Sequence, residues 1–90
     1  MAANTRKELG PHFSEACRLL WEAATARGWS QRRLGRELGA HEGEIMFVLY
    51  GDKKPRTEIV IEAASVLAIP APAWKAASSV PFVPPAARAA

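Results

Sequence analysis

The sequence predicts a single all-α domain of four to five short helices, compact, with an extended Pro/Ala-rich tail at its C-terminal end. Three observations predict it. The 90 residues, 49% apolar and 23% charged, suffice for one globular core and not for two. Apolar side chains recur at helical spacing in four separate stretches. Gly28, Gly39 and Gly51 stand where three of those stretches stop, which is where a helix C-terminus favours a residue able to turn left-handed.

The elements follow in order. Residues 1–10 form an N-terminal arm. Pro11 suits the first position of a helix, and Phe13, Cys17, Leu20 and Ala24 then share one buried face of a helix that ends at Gly28. Ser30 is a good N-cap for a second helix, Gln31 to Leu38, stopped by Gly39. After a turn of about three residues, a third helix runs from Glu42 to Tyr50 with Ile45, Val48 and Leu49 at core spacing, and Gly51 closes it. Asp52, Lys53, Lys54 and Pro55 make a polar turn. The fourth helix, Arg56 to Leu67, buries Ile59 or Val60 together with Ala63, Ala64 and Leu67, and Pro70 prevents its continuation. Pro72, Ala73 and Trp74 start a short fifth helix. The helical domain thus spans 11–77. The tail, 78–90, is too rich in proline and alanine for further helix and reads as extended or mobile.

Charge and cysteine usage narrow the function classes. The formal charge is +3 and the sequence pI about 9.5, a balance open to nucleic acid or to a protein partner. Seven cations lie between positions 27 and 56: Arg27, Arg32, Arg33, Arg36, Lys53, Lys54 and Arg56. Cys17 has no second cysteine to pair with, so stability rests on helix packing and a cytoplasmic location is expected. No apolar run approaches the roughly 20 residues of a membrane span, and no targeting segment is legible, so no membrane partner is expected.

The most informative stretch is Ser30-Gln31-Arg32-Arg33-Leu34-Gly35-Arg36-Glu37-Leu38-Gly39, followed by Ile45 and Gly51. Two short helices joined by so tight a turn cross steeply, which demands a small residue at their contact. Gly35 is that residue. Glycine inside a helix costs about 1 kcal/mol relative to alanine, and a close approach is the usual compensation. Leu34, Leu38, Ile45 and Val48 then seal the pair against the first and fourth helices.

On these residues the stretch 11–74 resembles the Cro and lambda-repressor (XRE-type) helix-turn-helix family. The shared pattern is Gly28, Trp29, Ser30 and Gln31, then Leu34, Gly35, Leu38, Gly39, Ile45 and Gly51, a basic pair before Pro55, and a closing helix that ends in Leu67. The resemblance implies a lambda-repressor-like DNA-binding domain and a sequence-specific transcriptional regulator, a small bacterial or phage-like repressor. In that family the start of the second helix touches the DNA backbone and the third helix lies in the major groove. Gln31 falls at the family's phosphate-contacting glutamine. Arg32 and Arg33 stand beside it in the first helical turn, where the helix dipole disfavours them by about 0.3–1 kcal/mol each. Local stability therefore leaves them unexplained, while phosphate attraction explains them. Lys53, Lys54 and Arg56 would hold the same backbone from the other side. The alternative for each is an ordinary solvated charge.

The resemblance also implies that Glu42, Gly43, Glu44 and Phe47, with His41 before them and Tyr50 after, face the bases. This set departs from the Gln, Asn, Ser, Arg or Lys usual there, and sets two carboxylates toward a polyanion. A glutamate accepts from cytosine N4 and Phe47 would press on a thymine methyl. Equally, acids in a first turn complement the helix dipole, and Glu44 three residues after His41 echoes a capping box. Phe47 has two further readings, partial burial against a neighbour and contact with a partner protein. The alternative function is therefore a protein-binding module on the same fold, with an acidic and aromatic third helix.

Other chemistry is not signalled. His12, His41 and Cys17 lack metal-ligand spacing, and Cys17 on an apolar helix face reads as core. No enzyme or cofactor is expected, and the composition gives no argument for a ligand pocket. Trp21 and Trp29 cover the core, and Trp74 anchors the fifth helix beneath the fourth. In the tail, Val80, Phe82 and Val83 are interleaved with Pro81, Pro84 and Pro85, a pattern suited to lying along a neighbouring subunit or in a partner's groove. The resemblance implies a homodimer formed by elements after the last helix, and with it a palindromic operator in double-stranded DNA.

Overall fold

A computed structural model describes residues 9–78 and Phe82. Residues 1–8 of the arm, and 79–81 and 83–90 of the tail, lie outside the described residues, so the expectations for Val80 and Val83 do too. The described chain is helical: α1 (Glu15–Arg27), α2 (Gln31–Leu38), α3 (Glu42–Tyr50), α4 (Thr57–Leu67) and a closing 3-10 turn (Ala71–Lys75). No helix among the described residues is long and apolar enough to cross a membrane.

The first helix begins later than Pro11 suggests. The Gly10 N–H donates to the Tyr50 carbonyl at 2.7 Å and the His12 N–H to the Gly51 carbonyl at 2.8 Å. The segment around Pro11 is thereby strapped across the end of α3 and cannot join α1. Ser14 starts the helix instead, its Oγ accepting from the Cys17 N–H at 3.4 Å. Its neighbour Glu15 donates its N–H to the Ala76 carbonyl at 2.9 Å, so the closing turn satisfies one of the exposed donors of α1.

The α2–α3 boundaries agree with the sequence reading. Ser30 Oγ accepts from the Arg33 N–H at 3.1 Å, and Gly39 closes α2 with a φ of 75°. The bareness of Gly35 has a more specific reason than a helix crossing. A Cβ there would lie 2.6 Å from the Ala40 carbonyl oxygen, because the three-residue turn Gly39–His41 folds back directly over α2. Glycine is equally required at position 51, where φ is 78° and a Cβ would run into the backbone of Phe13 in the strap.

Leu20, Leu34, Leu38, Ile45, Val48, Leu49 and Ile59 are fully buried and join all four helices in one core. Each such aliphatic side chain contributes about 1.5–3 kcal/mol relative to exposure. Trp21 packs edge-on against Tyr50 at 5.4 Å between ring centroids and donates its indole N–H to the Leu49 carbonyl at 2.9 Å. Tyr50 is therefore a core residue, not a groove-facing one: it is 6% exposed, held by Trp21 from one side and by the Gly10 strap at its carbonyl.

Three expectations for α4 are corrected. Ile59 and Ala63 are buried and Val60 and Leu67 half-buried, but Ala64 is exposed, since it lies some 100° around the helix from Ala63. The helix also stops before Pro70 acts. Ala68 takes the left-handed conformation with φ 58°, Ile69 turns back into the core, and Pro70 instead opens the closing 3-10 turn. Arg56 is the residue before the helix rather than its first residue.

Of the described tail residues, Phe82 is packed onto its own chain. Phe82 stacks on Phe13 at 5.6 Å and tilts over Trp21 at 5.8 Å, covering its own chain's core.

Candidate nucleic-acid interface

Three elements converge on the outer side of α3. Its inner side is fixed by Ile45, Val48 and Leu49, which leaves Gly43 and Phe47, one turn apart, as an exposed crest. Glu42 and Glu44 lie on opposite flanks of that crest. Phe47 is 41% exposed, so it is partly covered and still presents much of its ring to solvent.

The predicted phosphate-binding and base-facing residues meet in pairs. Arg32, from the first turn of α2, has its Nε 3.6 Å from a Glu42 carboxylate oxygen, yet 76% of its side chain is exposed. Arg56, from the start of α4, grips the other flank. Its Nε and one terminal nitrogen donate to the two Glu44 oxygens at 2.5 and 3.0 Å, and the same terminal nitrogen donates to the Gly39 carbonyl at 3.2 Å. Glu58 lies 3.7 Å from the other terminal nitrogen. The Lys53 ammonium sits 5.9 Å from the centre of the Phe47 ring, a cation on the face of an aromatic.

These contacts separate the candidates. Arg56 is a clamp that ties α4 to the α2–α3 turn and to α3; its Nε and one terminal nitrogen are engaged within the chain, which leaves the other terminal nitrogen, 3.7 Å from Glu58, for any phosphate contact. Glu44 has a better explanation than a capping box. His41 makes no side-chain cap bond, and Glu44 instead accepts from Arg56. That hydrogen bond, outweighing partial desolvation, holds the Glu44 carboxyl below its ordinary range, with the charges of Arg56, Lys53 and His41 adding to the effect. The same pairing makes the Arg56 guanidinium still harder to deprotonate.

Arg33 also acquires a local explanation, against the sequence expectation. Its Nε donates to Glu37 one turn along α2 at 2.8 Å, and its guanidinium lies 5.1 Å from the Trp29 ring centre. Together these offset its unfavourable place at a helix N-terminus. Trp29 is half-buried, with Arg27 over the same ring at 5.5 Å. Gln31 is half-buried at the head of α2, beside Arg32. The basic pair of the α3–α4 loop is divided. Lys53 turns to the crest, while Lys54 lines a cavity with His12 and Lys75.

Gly43 is the unexplained member of the crest. A Cβ at this position would meet no atom within 4 Å, so nothing in the described chain requires a glycine there. Cys17 is core, as expected: it is 1% exposed, and burial pushes its thiol up, partly offset by hydrogen bonding with Ser14.

Sequence reasoning missed the Arg56–Glu44 clamp and the strap at Gly10. Residues 12 positions apart, one in α3 and one just before α4, carry no periodic signal, and a backbone-to-backbone strap has no side-chain signature. No family model, curated protein or solved structure matches the chain.

Proposed function

We propose that the chain is a sequence-specific DNA-binding regulator of the Cro and lambda-repressor type, with α3 presented to the major groove. The observation that carries this reading is the convergence of Arg32, Lys53 and Arg56, from three separate elements, around one exposed helical crest. Cations gathered beside a helix narrow enough for the groove suit a polyanion with a repeating backbone. Arg32 is the leading phosphate ligand, being the most exposed of the paired arginines and the most loosely held. Gln31, Arg33 and Lys53 assist, while Arg56 acts by positioning α3. Phe47 and Glu42 are the base-facing side chains, and Gly43 gives the groove floor room to approach. A two-fold homodimer on a palindromic operator is the assembly this reading implies.

The test is selection of bound sequences from a random duplex pool at two salt concentrations. Enrichment of a palindrome, with affinity falling steeply as salt rises, is the expected result. Absence of any enriched sequence at low salt sinks the proposal.

One observation favours a second reading, a protein-binding module. Glu42 and Glu44 neutralise much of the positive charge that a DNA interface would use, and leave Phe47 as the exposed feature. If the crest docks protein, Phe47→Ala abolishes partner capture, and DNA affinity is negligible even at low salt.

A further inference from the structure

The strap, the α3–α4 loop, the start of α4 and the closing 3-10 turn line a solvent-open cavity of about 500 Å³. That volume lies in the range of small-molecule sites. No residue of α3 lines it, so it is distinct from the crest. Its walls include Phe13, Pro55 and Trp74, and its polar members include His12, Lys54 and Lys75. No carboxylate is among the described lining residues.

Lys54 and Lys75, 21 positions apart in sequence, both line this cavity, and none of its described lining residues is an acid that would compensate their charge. A bound anion supplies that compensation. The walls constrain which anion. Aromatic and proline surfaces stabilise an apolar body by its removal from water, whereas a compact, multiply charged ion would lose hydration there without replacement. We propose that this cavity binds a small organic carboxylate with an aromatic or aliphatic body, the body lying against Phe13, Pro55 and Trp74 and the carboxylate meeting Lys54 and Lys75. The site is independent of the DNA reading and stands or falls by its own test.

1-Naphthoate serves as probe and 1-naphthalenemethanol as its neutral counterpart, each titrated into the full chain and followed by amide and indole NMR shifts. Naphthoate is expected to shift the amides of His12, Phe13, Lys54 and Lys75 and the indole signal of Trp74 saturably. The alcohol is expected to bind at least about tenfold more weakly, as is naphthoate to the K54M/K75M variant. Both lysines are exposed, so the variant should keep its helical circular dichroism and thermal midpoint. Naphthoate shifts confined to Phe47 and Arg32, equal affinity for the alcohol, or no saturable shift at the lining residues would each overturn the proposal.

Discussion

Glu44 illustrates how a single side chain changes meaning once its neighbours are known. Its carboxylate is favoured in the fold by Arg56, so its folded pKa lies below the unfolded value. The stabilisation is therefore present above the ordinary carboxylate range and is lost as pH falls through the lowered folded pKa. Thermal midpoints measured against pH should show Glu44→Gln less stable than the parent at neutral pH, with the two curves merging in acid; parallel curves would mean that the pair contributes nothing. Arg32 and Arg33 are neighbours in sequence and unlike in role. On the DNA reading, Arg32→Ala should weaken binding to all sequences and reduce the salt slope by about one. Arg33→Ala should chiefly lower stability, by loss of Glu37 and Trp29. Filter binding at several salt concentrations, beside urea melts, distinguishes them, and a reversal of the two phenotypes would reject the assignment. Gly43→Ala is expected to stabilise the helix by up to about 1 kcal/mol while weakening DNA binding, because the added methyl occupies open space on the crest. A variant that is stabilised and binds unchanged would show that the bare crest has no role in contact.

At the level of elements, helix ends were the most readable feature of the chain. Gly28, Gly39 and Gly51 take left-handed conformations with φ of 69°, 75° and 78°, and Ser30 caps α2, because each acts through its own backbone or that of a near neighbour. The start of α1 was less readable. Pro11 and Ser14 are both good helix openers, and the choice was made by the distant carbonyls of Tyr50 and Gly51. Ala68 is the exception among the C-caps: at φ 58° it is the one non-glycine residue with positive φ among those described. A left-handed alanine costs about 1–2 kcal/mol, partly offset by the greater freedom glycine has when unfolded. Ala68→Gly should accordingly raise stability by about 1 kcal/mol in urea denaturation. A loss instead would mean that the Ala68 methyl contributes packing.

For the molecule as a whole, the core was legible and the surface network was not. Leu34, Leu38, Ile45, Val48 and Leu49 announce themselves by spacing, since burial of a helix face is periodic. The grouping of Arg32 with Glu42, Arg56 with Glu44, and Lys54 with Lys75 depends on how helices cross, which no local pattern encodes. Phe82 shows the same limit, its ring closing over Phe13 and Trp21 from beyond the last helical turn. Phe82→Ala should cost about 1–2 kcal/mol by loss of ring packing, read from urea melts; an unchanged midpoint would release the residue for contacts outside its own chain. The hydrogen bonds from Gly10 and His12 to the last carbonyls of α3 bear on motion. Because those two amides are buttoned to one helix end and covalently lead into another, they should exchange with solvent in step with the amides of α3. Loosening of the segment before α1 would then unfasten the far end of α3 and the loop carrying Lys53, so the two ends of this small fold breathe together.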